Sequence, residues 1–247
     1  MKRKLPSHIT VLRAQTQKNV NHTILTDLYN QFPSDTKVSF LDLPCGGLEF
    51  LKHVKALFPD SDLTGADLMQ PSETENIQFY EMDLTREFTL PTEKKYDVVS
   101  SIAGVMMFSN TLSFIKNCSE KLKDGGTFIL TNDNNATIKD RLAYLFLGRY
   151  RLFNLVFEDN QALTENVPIN ELVRLLRTNR IRIDDIQYTS FYIKDVIFLP
   201  FAVIAYVSQW LYLKILKTRL PEELIGKMYP FNHLFCRHYI IKGTKVK

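Results

Sequence analysis

The sequence predicts an α/β fold, a mostly parallel sheet flanked by helices. Three observations carry this expectation. Val38-Ser-Phe-Leu-Asp-Leu43 is a short apolar run of strand formers; Pro44 stops it, Gly46-Gly47 makes a tight turn, and residues 48–58 restart at helical period with Leu51, Val54 and Phe58 on one face. Four further strand-like runs follow at intervals, at 63–67, 77–83, 96–102 and 127–131. The first two end in a carboxylate, Asp67 and Asp83. A strand, a glycine turn and a helix bring backbone close to a ligand and aim a helix N-terminus at it. In open parallel sheets ligands bind at the carboxyl ends of the strands, so a ligand is expected over residues 42–50.

Length and composition bound the reading. The 247 residues suit one α/β domain with an insertion, and 45% hydrophobic content suffices for a buried core. A net charge of +4 allows an anionic partner or a membrane surface without demanding one. There is no long basic block with interleaved aromatics, which disfavours nucleic acid. Cys45, Cys118 and Cys236 are widely spaced and show no metal spacing, so no metal site and a reducing, cytoplasmic setting are expected. The basic start is not followed by an apolar run, so no signal peptide is read.

Taken in order, residues 1–35 read as a helical lead-in, with Val20, Ile24, Leu25 and Leu28 at helical spacing and Pro33-Ser-Asp35 as its end. Asp42 is the carboxylate at the end of the first strand. Asp67 ends the second, where it can accept from both hydroxyls of a ribose and so suits an adenosine-containing cofactor. Residues 44–49 do not spell G-x-G-x-x-G, which argues against NAD. Asn110 is positioned to cap a helix carrying Phe114, Ile115, Cys118 and Leu122 inward, with Gly125-Gly126 as its C-cap. Residues 138–157 read as a mostly helical, basic-aromatic stretch with Arg141, Arg149, Tyr150 and Arg151, either holding an acidic acceptor or simply solvated. Pro168 suits the first position of another helix, with Leu172, Val173 and Leu176 inward. Residues 181–188 and 236–242 read as the last two strands. Between them, 196–213 has no charged residue and is flanked by Lys194, Lys214, Lys217 and Arg219. With Pro200 at a helix start it is short for a span of about 20 residues. Both ends must also return to the sheet. A helix or hairpin dipping into one leaflet is therefore expected, and a buried helix or a homodimer interface is the soluble alternative.

With these elements in place, the chain resembles the class I S-adenosylmethionine (SAM)-dependent methyltransferases over residues 36–190 and the last dozen. That family opens on a motif like L-D-L-G-C-G-T-G, and residues 41–48 read L-D-L-P-C-G-G-L. The resemblance implies a Rossmann-like seven-stranded sheet whose last two strands close it as an antiparallel pair. It also implies SAM as cofactor, with Asp42 near the methionine moiety and Cys45, Gly46 and Gly47 beneath it. Asp67 and Leu68 fall at the ribose. Asp83 and Leu84 fall at the adenine, and Ser101 and Ile102 where the fourth strand meets the cofactor. Pro44 and Leu48 depart from the pattern by replacing glycines. There is no N/D-P-P-Y/F motif of base N-methylation, and Met106-Met107 stand where many members carry a histidine pair. Those methionines either shape an apolar pocket or belong to the core. No catalytic residue is assigned; His238, Tyr144 and Asp133 are the candidates. The basic-aromatic helix, the apolar insertion over 192–232 and the tail 234–241 resemble a subgroup associated with bacterial surface glycans. The expectation is a single methyltransferase domain over 1–247. It would transfer a methyl group to a small-molecule, glycan or lipid-linked acceptor, by O-methylation at the cytoplasmic membrane face. A soluble dimeric enzyme and a non-catalytic SAM-binding scaffold are the alternatives.

Overall fold

A computed structural model of the protein describes residues 3–7, 9–12, 16–108, 110–156, 159, 164–216 and 218–247. Seven strands form one sheet: β1 (Ser39–Asp42), β2 (Asp62–Asp67), β3 (Gln78–Glu81), β4 (Tyr96–Ser101), β5 (Leu122–Asp133), β6 (Ile181–Phe191) and β7 (Cys236–Lys245). Their order is β3-β2-β1-β4-β5-β7-β6, and β7 runs antiparallel to both its neighbours. The expected seven-stranded, mostly parallel sheet with a closing antiparallel pair is therefore present.

Alternation along the strands divides the core in two, because successive side chains point to opposite faces. Phe40, Val98, Ile129 and Ile240 face α1 (Val20–Gln31) and α2 (Glu49–Leu57), including Val20, Ile24, Leu25 and Leu28 as the sequence predicts. Leu41, Val99, Phe128 and Ile241 face α3 (Thr111–Glu120) and α5 (Ile169–Thr178). A third, smaller cluster joins α4 (Ile138–Leu147) to α6 (Leu199–Ile215) through Ile138, Ala202, Leu234 and Phe235. A short α7 (Glu222–Met228) follows, and its Leu224 and Met228 enter the main core.

Several local expectations are corrected. Gly125-Gly126 does not cap α3. Lys121 closes that helix in right-handed conformation, and β5 has begun at Leu122, which pairs with Tyr96. The glycines serve a bend in the strand, Gly125 at φ +79° and Gly126 where an added Cβ would lie 2.8 Å from the Lys123 carbonyl oxygen. Asn110 makes no side-chain cap; its amide donates to the Leu84 and Arg86 carbonyls. The helix expected to 157 ends at Leu147, because Gly148 takes the left-handed conformation that closes helices. Phe157 and Lys217 lie outside the described residues. Pro168 is extended and precedes its helix, which starts at Ile169. Asp83 stands two residues beyond β3, which ends at Glu81. Pro200 does lie in the first turn of α6.

Candidate functional site

The site is built where β1 turns into α2. The Leu43 amide donates to the Ser100 carbonyl at 2.9 Å, tying the turn to β4. The Leu43–Pro44 peptide is cis. The Cys45 amide donates to Ala66 in β2 at 3.1 Å. Gly46 then takes φ +53°, where a Cβ would be strained, and Leu48 enters α2 in the left-handed region at φ +69°. The two departures from the glycine pattern have clear positions. Pro44 packs on Gly104, where an added Cβ would lie 2.1 Å from Pro44 Cδ. The Leu48 side chain is fully buried in the cluster of α1 and α2. Close approach to the turn is also prepared from β2: a Cβ on Gly65 would lie 2.6 Å from Cys45 Sγ.

Asp42 is buried at the strand end and accepts a hydrogen bond from the Ser100 hydroxyl. Burial pushes its carboxyl up to about 8 and nearby Asp67 adds to this, while the Ser100 bond opposes it. Asp67 accepts from the Gly46 amide through Oδ2 and from the Leu68 amide through Oδ1, each at 2.7 Å. The β2 carboxylate thus holds the glycine turn directly. Asp83 is held below the usual carboxylate range, chiefly by the Thr85 hydroxyl and also by the Thr85 amide.

A cavity of about 150 Å³ opens over the turn. Of the residues expected at the cofactor, Asp42, Cys45, Gly46 and Ile102 line it. Gly47 follows in the turn, Asp67 reaches it through Gly46, and Leu68 is exposed beside Asp67. Ser101 is buried, and its hydroxyl has no partner among the described residues. Asp83 and Leu84 do not line this cavity. The Asp83 carboxylate bonds within its own loop and to Arg86 at 3.1 Å, and the Leu84 side chain is in the core. The sequence reading missed Thr16 and Asn21 in the lining, whereas Glu49 and Phe50 fall within the expected 42–50. Asn21 carried a usable signal, a polar residue on the apolar face of α1. Ala103, just past the end of β4, takes φ +56° with its amide on the Thr131 hydroxyl. Met107 also lines the cavity.

Residues 15–170 match the family described as "Methyltransferase domain". The chain belongs to this methyltransferase family. Two curated relatives, malonyl-[acyl-carrier protein] O-methyltransferases of Bacillus cereus and Bacillus anthracis, are each 24% identical over 135 residues, 51% of this chain and 49% of theirs. The chain thus matches about half the length of these relatives. Among solved structures, a SAM-dependent methyltransferase from Archaeoglobus fulgidus aligns at TM-score 0.55 with 16% identity, covering 91% of this chain and 94% of that one. A putative methyltransferase from Bacillus halodurans aligns at 0.56 with 14% identity, covering 91% and 100%. These likenesses support the same fold.

The methyltransferase uses SAM, and the residues present fit it. A buried carboxylate, Asp42, lines a small cavity suited to the cationic amino-acid end, and Asp67 lies beside it at the end of β2. SAM supplies an electrophilic methyl on its sulfonium. The chain's own task is then to align a nucleophile with that methyl, so a strong base is optional.

The catalytic candidates stand apart from this cavity. Asp133 ends β5 opposite His238 of β7, with His238 Nδ1 3.5 Å from Asp133 Oδ1. Arg151 Nη2 lies 3.5 Å from the same oxygen, and the Arg151 amide donates to buried Asp140 at 2.9 Å. Tyr144 is half exposed and stacks on Tyr150 at 4.8 Å. Two arginines of the basic-aromatic stretch are therefore structural. Arg151 joins Asp133 and Asp140, while Arg141 donates to the Ala136 carbonyl, to Gln209 of α6 at 2.7 Å and lies 3.1 Å from His233 Nε2. Burial, with Arg141 adding, pushes His233 down to about 4, so it is neutral near pH 7 and accepts the Arg141 bond.

Proposed function

We propose that this methyltransferase acts at a membrane surface on the oxygen of a lipid-linked or membrane-embedded acceptor. The observation that carries this reading is α6 and where it stands. The segment Ile193–Ile215 is long and apolar enough to cross a membrane, and most of its side chains are exposed, one face packing through Ala202 against Ile138, Leu234 and Phe235. It cannot be a lone span, because it leaves from β6 and returns to β7, and Phe191 pairs with Cys236 in one sheet. That junction lies at the edge where β5 ends at Asp133, the same edge that carries Asp42 and Asp67. A helix lying in one leaflet there would bring the cofactor edge to the bilayer. Phe201, Ile204, Leu211 and Ile215 supply exposed apolar side chains, with Lys194 and Lys214 at the two ends and Trp210 near one of them. Oxygen as the nucleophile is supported by the curated relatives, which are O-methyltransferases.

The test is vesicle flotation and methyl transfer from radiolabelled SAM to a membrane lipid extract. The wild type should float and label a lipid-soluble product. A Phe201→Glu/Ile204→Glu variant should keep SAM affinity and lose both. A wild type that stays soluble as a dimer, dissociated by the same substitutions, would establish the soluble reading instead.

A further inference from the structure

A second cavity, of about 330 Å³, lies between α6 and α7 and shares no lining residue with the cofactor cavity. Tyr206, Trp210 and Leu213 form its α6 wall, and Ile225, Gly226 and Tyr229 its α7 wall. Its volume falls at the lower end of small-molecule sites, and its lining mixes aromatic and aliphatic side chains with the polar Gln209, Lys214, Thr218 and Glu222. Both walls are fixed. Gln209 on the α6 side accepts from Arg141 of α4 at 2.7 Å. On the α7 side the Met228 carbonyl accepts from the Tyr188 hydroxyl, and Lys227 donates to the Asp184 carbonyl at 2.9 Å. Gly226 leaves this space open, since a Cβ built on it meets no atom within 4 Å. Among the described residues of the lining the charged ones are one of each sign, Lys214 and Glu222.

We infer that this cavity binds a zwitterionic, amine-headed phospholipid, one hydrocarbon chain lying between α6 and α7. Its phosphate would face Lys214 and its ammonium Glu222. The source of the lipid rests on the proposed membrane contact of α6; the cavity and its charges do not. Continuity favours a bilayer lipid over a free metabolite, because the helix that walls the cavity also carries the exposed apolar face. Tryptophan and tyrosine are the side chains enriched where hydrocarbon meets headgroup. The lipid would connect α6, on the membrane side, to α7, whose Leu224 and Met228 belong to the core of the sheet.

The test uses the full chain in a mild detergent, incubated with equimolar phosphatidylethanolamine and phosphatidylglycerol, freed of excess lipid and examined by native mass spectrometry. The wild type should retain one phosphatidylethanolamine per chain, and Gly226→Ala should retain it too. Gly226→Phe should retain none while binding SAM as the wild type does, which shows that it is folded. Glu222→Lys should lose the preference over phosphatidylglycerol at least tenfold. Trp210 is the single tryptophan of the chain, so its emission should shift with lipid in the wild type and not in Gly226→Phe. Absence of retained lipid, equal retention of the two lipids by the wild type, or full retention by Gly226→Phe would overturn the inference. Flotation separates it from the membrane reading: a chain that floats but retains no lipid defeats only the cavity assignment, and one that retains lipid but does not float defeats only the membrane contact.

Discussion

Asp42→Asn should make the apo protein more stable and the enzyme worse. Asp42 is 1% exposed, and its carboxyl is raised from 3.8 to about 8, with burial the largest cause. A carboxyl with a raised folded value keeps its proton in the fold where the unfolded chain has already lost it. Stability therefore falls as pH rises from 3.8 and levels off above about 8. Each pH unit within that window costs ~1.4 kcal/mol. At pH 7 the penalty is thus on the order of 4 kcal/mol. An amide keeps the volume and the bond from Ser100 but carries no charge, so it escapes that penalty. With an m-value of roughly 2–3 kcal/mol/M in urea, the variant's midpoint should exceed the wild type's by more than ~1 M at pH 8.5 and by no more than about 0.5 M at pH 4.5. Binding should move the other way. The wild type must ionise Asp42 to pair with the α-ammonium of SAM, which itself titrates at about 8, so its affinity should rise from pH 6 to about 8. The Asn variant should bind at least tenfold more weakly with no such rise. Urea titrations at pH 4.5, 7 and 8.5 and calorimetry at pH 6 and 8 read both quantities. A midpoint gap independent of pH, or equal SAM affinity in the two proteins, would refute the reasoning.

Asp67→Ala removes the acceptor of the Gly46 and Leu68 amides, and calorimetry should show SAM affinity reduced tenfold or more in a chain with unchanged circular dichroism. Gly104→Ala places a Cβ 2.1 Å from Pro44 Cδ. The overpacking should cost about 1–3 kcal/mol in chemical denaturation and weaken SAM binding, since the displaced proline walls the cofactor cavity. Arg151→Met leaves Asp133 and Asp140 buried without their cation, a loss of roughly 3–5 kcal/mol. Thermal unfolding should fall by about 10 °C while SAM affinity holds, because none of the three lines the cofactor cavity.

Local physics made the first half of the site legible. The apolar run, the proline stop, the glycines and the helical period over residues 38–58 all act within a few residues of one another, and β1, the turn and α2 follow them. The carboxylates at 42 and 67 were readable for the same reason, as strand ends. What escaped depends on residues far apart in the chain. Gly125-Gly126 offers one local signal for two outcomes, a helix cap or a bent strand, and the pairing of Leu122 with Tyr96 decides it. The basic stretch near Arg151 offered two local readings, an acceptor site or solvated arginines, but Asp133 and Asp140 neutralise that arginine. Its pattern also suggested mostly helix to 157, yet Gly148 in the left-handed conformation ends the helix at Leu147. Nothing in the spacing of 181–245 fixes β7 between β5 and β6, so the opposition of His238 to Asp133 was invisible.

The least expected residue of the turn gives the sharpest test of how it works. Leu48 stands where the resembling motif has glycine, at φ +69°. That conformation costs a leucine about 1–2 kcal/mol. Its side chain is fully buried among α1 and α2, and removing such a side chain costs about 2–5 kcal/mol. Leu48→Gly would relieve the strain and lose the packing, so the balance predicts a net loss of roughly 1–3 kcal/mol by urea titration. SAM affinity should stay within twofold, because Leu48 turns its side chain into the core and the cavity lining passes from Gly46 to Glu49 without it. A Leu48→Gly chain that is more stable, or that binds SAM markedly more tightly, would mean that the leucine obstructs the cofactor. If the loss appears with binding intact, glycine at this position serves the backbone conformation alone, and a buried leucine can replace it.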